Sequence, residues 1–370
     1  MLVALIFTSV LLAYANGAND NFKGVATLFG SGTSDYPRAL KWACLTTLAG
    51  SLTAVWLSTR LASVFSGKGL VSDNIAAAPE FLVPVGLGAA VTIQLATFVG
   101  LPVSTTHALT GALVGTALVR AGGEIDFHHL GSAFFAPLAF SPLLALAVSA
   151  AAYILFRWWR LRLGIDKESC LCVGQKVVRS ELVPVSAEQL FKVTPLLEAK
   201  FGSSQHCQQR YRGNIWGVRI STMMDSLHYL SAGAVGFARG LNDTPKIAAL
   251  LVAGSALAPW TRYGVIALFM ALGGWLSARR VAETVSQKIT SMNPGQGFSA
   301  NLVTSFLVIV ASRLGLPVST THVSVGSIFG IGVLTRGANK RMIGTILLSW
   351  VGTLPVAAVS AGLLAWVWVR

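Results

Sequence analysis

The sequence predicts an all-α polytopic membrane protein. Its expected architecture is an inverted-topology repeat with broken helices, two re-entrant hairpins and roughly 10–12 membrane segments. Three observations lead there. Of 370 residues, 54% are hydrophobic and only 11% charged, against about 25% charged in a soluble domain, and the mean hydropathy is +0.65. Much of the charge gathers in one central stretch. Two motifs occur twice, in the same order. The composition excludes a water-soluble globular protein, and it excludes disorder, which needs low hydrophobicity and high charge.

Apolar stretches run Leu2–Ala15, Leu40–Leu57, Phe81–Val99, Leu109–Val119 and Leu130–Phe156 in the first half. In the second half they run Met223–Phe237, Ile247–Ala258, Val265–Leu276, Leu302–Ala311, Val323–Leu334 and Ile343–Val369. Several are shorter than the ~20 residues of a straight span. Gly, Pro, Asn, Ser or Thr interrupt the short ones, and irregular backbone is tolerated at membrane depth only where it lines a protected site. The first stretch lacks a basic leader and a small-x-small cleavage site, so it reads as a first helix and not a signal peptide.

Between the halves lies a hydrophilic insert. From Arg157 to Gly213 there are ten basic residues and five acids in 57 positions. The expected organisation is therefore 1–156 as first membrane repeat, 157–216 as insert and 217–370 as second repeat. The positive excess places the insert on the cytoplasmic side, where it reads as a solvated linker. The formal net charge of +14 is no nucleic-acid footprint, because the insert shows no aromatic-basic interleaving. Cys170, Cys172, His206 and Cys207 fall in the insert with spacings that do not match zinc motifs. A reducing cytoplasm argues against disulfides.

The duplication is explicit. Gly100-Leu-Pro-Val-Ser-Thr-Thr-His107 recurs as Gly315-Leu-Pro-Val-Ser-Thr-Thr-His322, an offset of 215. Gly17-Ala-Asn-Asp-Asn-Phe-Lys23 is matched by Gly240-Leu-Asn-Asp-Thr-Pro-Lys246, an offset of 223. The loop after the first Ser-Thr-Thr-His stretch carries Glu124 and Asp126, whereas the equivalent loop carries Arg336, Lys340 and Arg341. Opposite charge implies opposite sides, hence inversion. Inverted repeats with broken helices point to a secondary transporter with its site near the midplane.

An acid inside an apolar segment is costly, so Asp20 and Asp243 are the informative pair. Each follows an Asn (Asn19, Asn242) and a glycine expected to break its helix. Carboxylate, amide and freed carbonyl oxygens suit a hard cation, and Asn and Asp also cap helices. Ser104, Thr105, Thr106, Ser319, Thr320 and Thr321 follow a proline that is expected to end the preceding helix, so they sit at helix starts. Their hydroxyls and free N–H groups suit a tetrahedral oxyanion or serve as N-caps. Lys23 and Lys246 stand three residues after each Asp, on the same helix face, placed to pair with that Asp or to bind the anion. His107 and His322 are candidates for protonation or for ordinary backbone bonding, and Gln94, Asn301 and Arg239 are weaker candidates. No H-E-x-x-H or other clustered ligand set supports a metalloenzyme.

At these residues the sequence resembles the PiT inorganic phosphate transporter family. Four motifs stand in its order: Gly17–Asp20, Gly100–His107, Gly240–Asp243 and Gly315–His322. The resemblance covers both membrane halves and implies import of inorganic phosphate driven by Na⁺ or H⁺, without organic cofactor or enzymatic activity, in the cell (inner) membrane. It places Asn19, Asp20, Asn242 and Asp243 at the cation and substrate centre, with Na⁺ on these residues, and the Ser-Thr-Thr sets on the anion. A sulfate permease of the same family and a passive anion channel are the alternatives, and a homodimer is compatible with it. Two departures stand out. Asn21-Phe22-Lys23 replaces the common V-A-N, and Thr47 and Asn301 stand where several members carry glutamate.

Overall fold

Ten helices of 15 residues or more carry the chain among the described residues. These are α1 (Leu2–Asp20), α2 (Tyr36–Leu57), α3 (Pro79–Val99), α4 (Thr105–Arg120), α5 (Ala136–Arg162), α6 (Ile220–Val252), α7 (Pro259–Ser277), α8 (Pro294–Leu314), α9 (Thr320–Leu334) and α10 (Lys340–Val369). The computed structural model describes residues 1–122, 124–165, 169–176, 197–203, 211–252, 257–288 and 292–369. It divides into one unit of Met1–Tyr153 with His228–Arg370 and another of Ile154–Leu227.

Local signals set the helix ends. Asp35 caps α2, accepting from the Arg38 N–H at 2.8 Å, and Asn293 with Gln296 forms a capping box at α8. Such caps satisfy N–H groups that no helical carbonyl reaches. Both hairpins end their first helix in the same way. Gly100 and Gly315 take the left-handed conformation (φ 75°) after α3 and α8. The next N–H, of Leu101 or Leu316, returns to the carbonyl of Ala96 or Ala311 at 2.9 Å. That is a glycine C-terminal cap. The expectation that proline ends these helices is thus corrected: glycine stops them, and Pro102 and Pro317 lie in the linker that follows.

Among the described residues six helices are long and apolar enough to cross a membrane, or seven if the pair Pro259–Ser277 and Arg279–Ser286, bent by 70°, counts as one. Helices α4 and α9, of 16 and 15 residues, start buried and end at the surface. At 1.5 Å per residue they reach only about three-quarters of the way across the ~30 Å hydrocarbon core. Large apolar side chains such as Leu95, Phe98, Leu143, Leu348 and Val351 face outward. That outer surface suits lipid, and the contacting Trp56 and Trp260, both exposed, fit an interfacial belt.

The two halves are interlocked. Helix α1 lies against α7 so closely that a Cβ on Gly17 would strike the Met270 carbonyl, and one on Gly273 the Tyr14 carbonyl. Helix α6 lies against α2 in the same way, with Gly240 facing the Thr47 carbonyl and Gly50 the Phe237 carbonyl. The offset of 223 maps one set onto the other, as a two-fold relation requires. This corrects the reading of Gly17 and Gly240 as helix breakers. Helix α1 runs unbroken through Gly17, and α6 runs through Gly240 and past Pro245 to Val252. The first-half break comes after Asp20, where Asn21–Gly24 tightens into a 3₁₀ turn.

The second unit contains a three-stranded antiparallel sheet, β1 (Ser169–Lys176), β2 (Leu197–Ser203) and β3 (Tyr211–Arg219), in the order β2-β1-β3. The insert was expected to be a linker, and no strand was foreseen. Cys170 is buried on β1 opposite Gly202 and Arg219. His206 and Cys207 lie outside the described residues.

Candidate functional site

The repeated motifs meet at one buried centre. Asp20 and Asp243, each 1% exposed, stand there with Lys23 (4%), Lys246 (0%) and Arg239 (1%). The ends of the first motif pair and the starts of α4 and α9 supply them and their partners.

The lysines cross between halves. Lys23 Nζ contacts Asp20 and donates to Thr321 Oγ1 at 2.8 Å and to the Val103 carbonyl at 2.7 Å. Lys246 Nζ donates to Asp243 Oδ1 at 3.2 Å, Thr106 Oγ1 at 2.7 Å and the Val318 carbonyl at 2.9 Å. The hydroxyls reciprocate. Thr106 donates to the Val318 carbonyl at 3.2 Å, and Thr321 to the Val103 carbonyl at 3.0 Å. Each half thus closes on the other through the same four residue types.

The amides of the motif pin the hairpins. Asn19 Nδ2 donates to Thr97 Oγ1 at 2.9 Å and to the Leu101 carbonyl at 3.0 Å, and its Oδ1 accepts from the Val103 N–H at 3.1 Å. Asn242 accepts from Ser312 at 3.1 Å and donates to the Val318 carbonyl at 3.2 Å. Thr97 and Ser312 are themselves 215 residues apart, so the hairpin repeat extends to them.

The carboxylates differ in their partners. Asp20 accepts from Asn16 at 3.1 Å, Thr105 at 3.0 Å and Thr321 at 3.4 Å, besides Lys23. Asp243 accepts from Asn242 at 3.1 Å and Asn16 at 3.4 Å, besides Lys246, and Arg239 Nε lies 3.7 Å away. Asn16 also donates to Thr105 at 2.8 Å, and its Oδ1 accepts from Arg239 at 3.1 Å. Arg239 further donates to Asn21 Oδ1 at 3.0 Å. Asn16 and Arg239 are repeat equivalents, 223 apart, and mark where the two halves stop being alike. Among the described residues Thr320, the equivalent of Thr105, makes no bond to Asp243.

Ser104 and Ser319 are N-caps, accepting from the His107 and His322 N–H groups at 3.2 Å. The capping bond uses only the oxygen lone pairs, so each hydroxyl keeps its own O–H to donate. Ser104→Ala is expected to lower stability by about 1 kcal/mol, read as a lower Tm in detergent, with Thr105 and Thr106 left in place. His107 and His322 come together, with ring centroids 4.4 Å apart, and His322 stacks on Trp350 at 3.7 Å. Among the described residues neither bonds to a carboxylate. Asn301 pairs instead with Thr27, at 2.8 Å, in a separate polar cluster with His228 and Ser231. Gln94, half-buried on α3, makes none of these bonds.

A model of the phosphate transporter family matches residues 16–361, a range holding every charged residue of this centre. The chain belongs to the phosphate transporter family. It is a multi-pass membrane transporter and not an enzyme, and phosphate is the family's substrate. A Chlamydia pneumoniae chain named as a phosphate permease is 28% identical over 97% of this chain and 96% of its own. The chloroplast inorganic phosphate transporter 2-1 of Arabidopsis thaliana is 27% identical over 99% of this chain and 72% of its own. A solved structure described as the sodium-dependent phosphate transporter superposes with TM-score 0.74 at 20% identity, covering 99% of this chain and 98% of that one. It has the same fold.

In this structure Lys23 and Lys246 occupy the positions beside Asp20 and Asp243 where a Na⁺ ion would sit. Among the described residues the four carboxylate oxygens accept from ammonium, amide N–H and hydroxyl groups, and the Arg239 guanidinium lies 3.7 Å from Asp243. Asn19 Oδ1 and Asn242 Oδ1 also accept from protein donors. A hard cation needs oxygen lone pairs directed at it, and here the chain's own cations already hold them.

Proposed function

We propose that this chain imports inorganic phosphate across the cell (inner) membrane as a cation-coupled symporter, by alternating access, with the insert on the cytoplasmic side. Of the two coupling ions the sequence allows, H⁺ agrees with the donor-lined centre better than Na⁺ does. The reciprocal pairing of Lys23 with Thr321 and Lys246 with Thr106 carries the reading. It sets two ammonium groups, two hydroxyls and two helix N-termini around one centre, all donors, and an oxyanion needs donors. Thr105 and Thr320 belong to the same helix starts, and Asn19 and Asn242 hold the hairpins that present them. Thr106 and Thr321 now donate to carbonyls of the opposite half. An anion taking those donors would release the bonds that tie the halves together, which links binding to opening. A ligand shifts such an equilibrium only through contacts that differ between states.

Proteoliposomes given labelled phosphate or sulfate, with Na⁺ and pH gradients imposed separately, test this. Phosphate accumulation above equilibrium is the expected result. Simple equilibration would indicate a channel, and preference for sulfate would reassign the substrate. Thr106→Val and Thr321→Val are each expected to reduce phosphate uptake roughly 10- to 100-fold, as loss of a charge-assisted bond of about 1.5–3 kcal/mol implies.

A further inference from the structure

We infer that Lys23 is a resident counter-cation that makes the carboxylate centre independent of Na⁺ and matches it to monoanionic phosphate. The inference rests on the phosphate-import reading above and adds what the site accepts. The Lys23 ammonium lies in a cage of four oxygens of four kinds: the Asp20 carboxylate, Asn19 Oδ1 at 2.9 Å, the Val103 carbonyl at 2.7 Å and Thr321 Oγ1 at 2.8 Å. Carboxylate, amide, carbonyl and hydroxyl oxygens are the ligand set of a hard cation. In this chain a side chain anchored three residues after Asp20 fills that cage. The covalent tether removes the entropy loss that a free ion would suffer on binding.

Charge counting gives the second half of the inference. The centre holds three cationic side chains, Lys23, Arg239 and Lys246, against two carboxylates, all at most 4% exposed. Its formal charge is therefore +1 before any ion arrives. A buried net charge is costly. A monoanion such as H₂PO₄⁻ brings the centre to neutrality. A dianion such as sulfate or HPO₄²⁻ overshoots and needs a further cation. Import of the monoanion moves one proton more than import of HPO₄²⁻ does, so a pH gradient biases phosphate uptake through the substrate's own protonation.

The full-length protein tests this in two independent measurements. Binding of radiolabelled Na⁺ to purified protein is expected to be non-saturable for wild type and saturable for Lys23→Ala, where the emptied cage retains its oxygens. In proteoliposomes at fixed pH, wild-type phosphate uptake is expected to be the same with Na⁺ or choline outside. Across a pH series it should follow the H₂PO₄⁻ concentration. Lys23→Ala should become Na⁺-stimulated by about tenfold. Saturable Na⁺ binding by wild type, Na⁺-dependent wild-type uptake, or uptake that follows HPO₄²⁻ would overturn the inference. The wild-type arms hold whether or not the variant folds. If no phosphate is transported under any gradient, the import reading falls, and the Na⁺-binding measurement alone then decides the assignment of Lys23.

Discussion

Asp243→Asn is expected to destabilise the protein by about 3–5 kcal/mol and to abolish phosphate uptake, because removing one partner from a buried charge network leaves the others uncompensated. Asp243 faces two cations, Lys246 at 3.2 Å and Arg239 at 3.7 Å. Asparagine keeps the shape and one acceptor, yet the centre's formal charge rises from +1 to +2. Asp20 faces one cation, Lys23, and its remaining partners are the neutral donors Asn16, Thr105 and Thr321. Asp20→Asn should therefore cost less than Asp243→Asn. The double variant Arg239→Gln/Asp243→Asn returns the count to +1 and should recover part of the loss, with a coupling of about 0.5–3 kcal/mol. Thermal unfolding in detergent gives these differences directly. Equal losses for the two aspartates, with no recovery in the double variant, would contradict the assignment of Arg239 to Asp243.

Much of this centre was legible in the sequence, and the reason is the duplication. Offsets of 223 and 215 singled out Asn19, Asp20, Lys23 and the Ser-Thr-Thr sets with their mates, and the structure gathers those residues in one place. What the offsets could not show is where the halves differ. Arg239 ranked among weaker candidates and Asn16 was not singled out, because each lacks a copy of itself. A usable signal existed nonetheless: each stands four residues before its aspartate, and an arginine one turn from an aspartate inside an apolar helix is rarely idle. Lys23 and Lys246 were placed beside their own aspartates, but their bonds to the opposite half's Thr321 and Thr106 depend on tertiary closure. The sheet of the second unit left a weaker trace. Cys170-Leu-Cys-Val173 is only a short apolar run in a charged stretch, and charge density alone reads as solvated chain.

Glycine in the Asn-Asp motifs was misread for a physical reason that yields the second large effect. A glycine beside polar residues in an apolar helix resembles a break, and only the partner helix reveals a contact. Gly17→Ala is expected to cost about 3 kcal/mol or more, at the upper end of overpacking penalties. The obstacle is the Met270 backbone carbonyl, which has no rotamer to retreat into. Gly240→Ala should behave alike against the Thr47 carbonyl, since the two-fold relation makes these the same contact. Glycines on α10 give the control: at Gly344 and Gly352 an added Cβ meets nothing within 4 Å. There alanine should be neutral or stabilising by up to about 1 kcal/mol, as helix propensity dictates. The functional consequence follows from position. Gly17 lies three residues before Asp20, so forcing α1 off α7 displaces the carboxylate from Thr105 and Lys23 from Thr321. Gly17→Ala protein that survives purification should then show a lowered Tm and phosphate uptake reduced out of proportion to its folded fraction. Wild-type Tm and uptake in both Gly17→Ala and Gly240→Ala would show that the helices have room to separate, and that the tight crossing has no part in setting the centre.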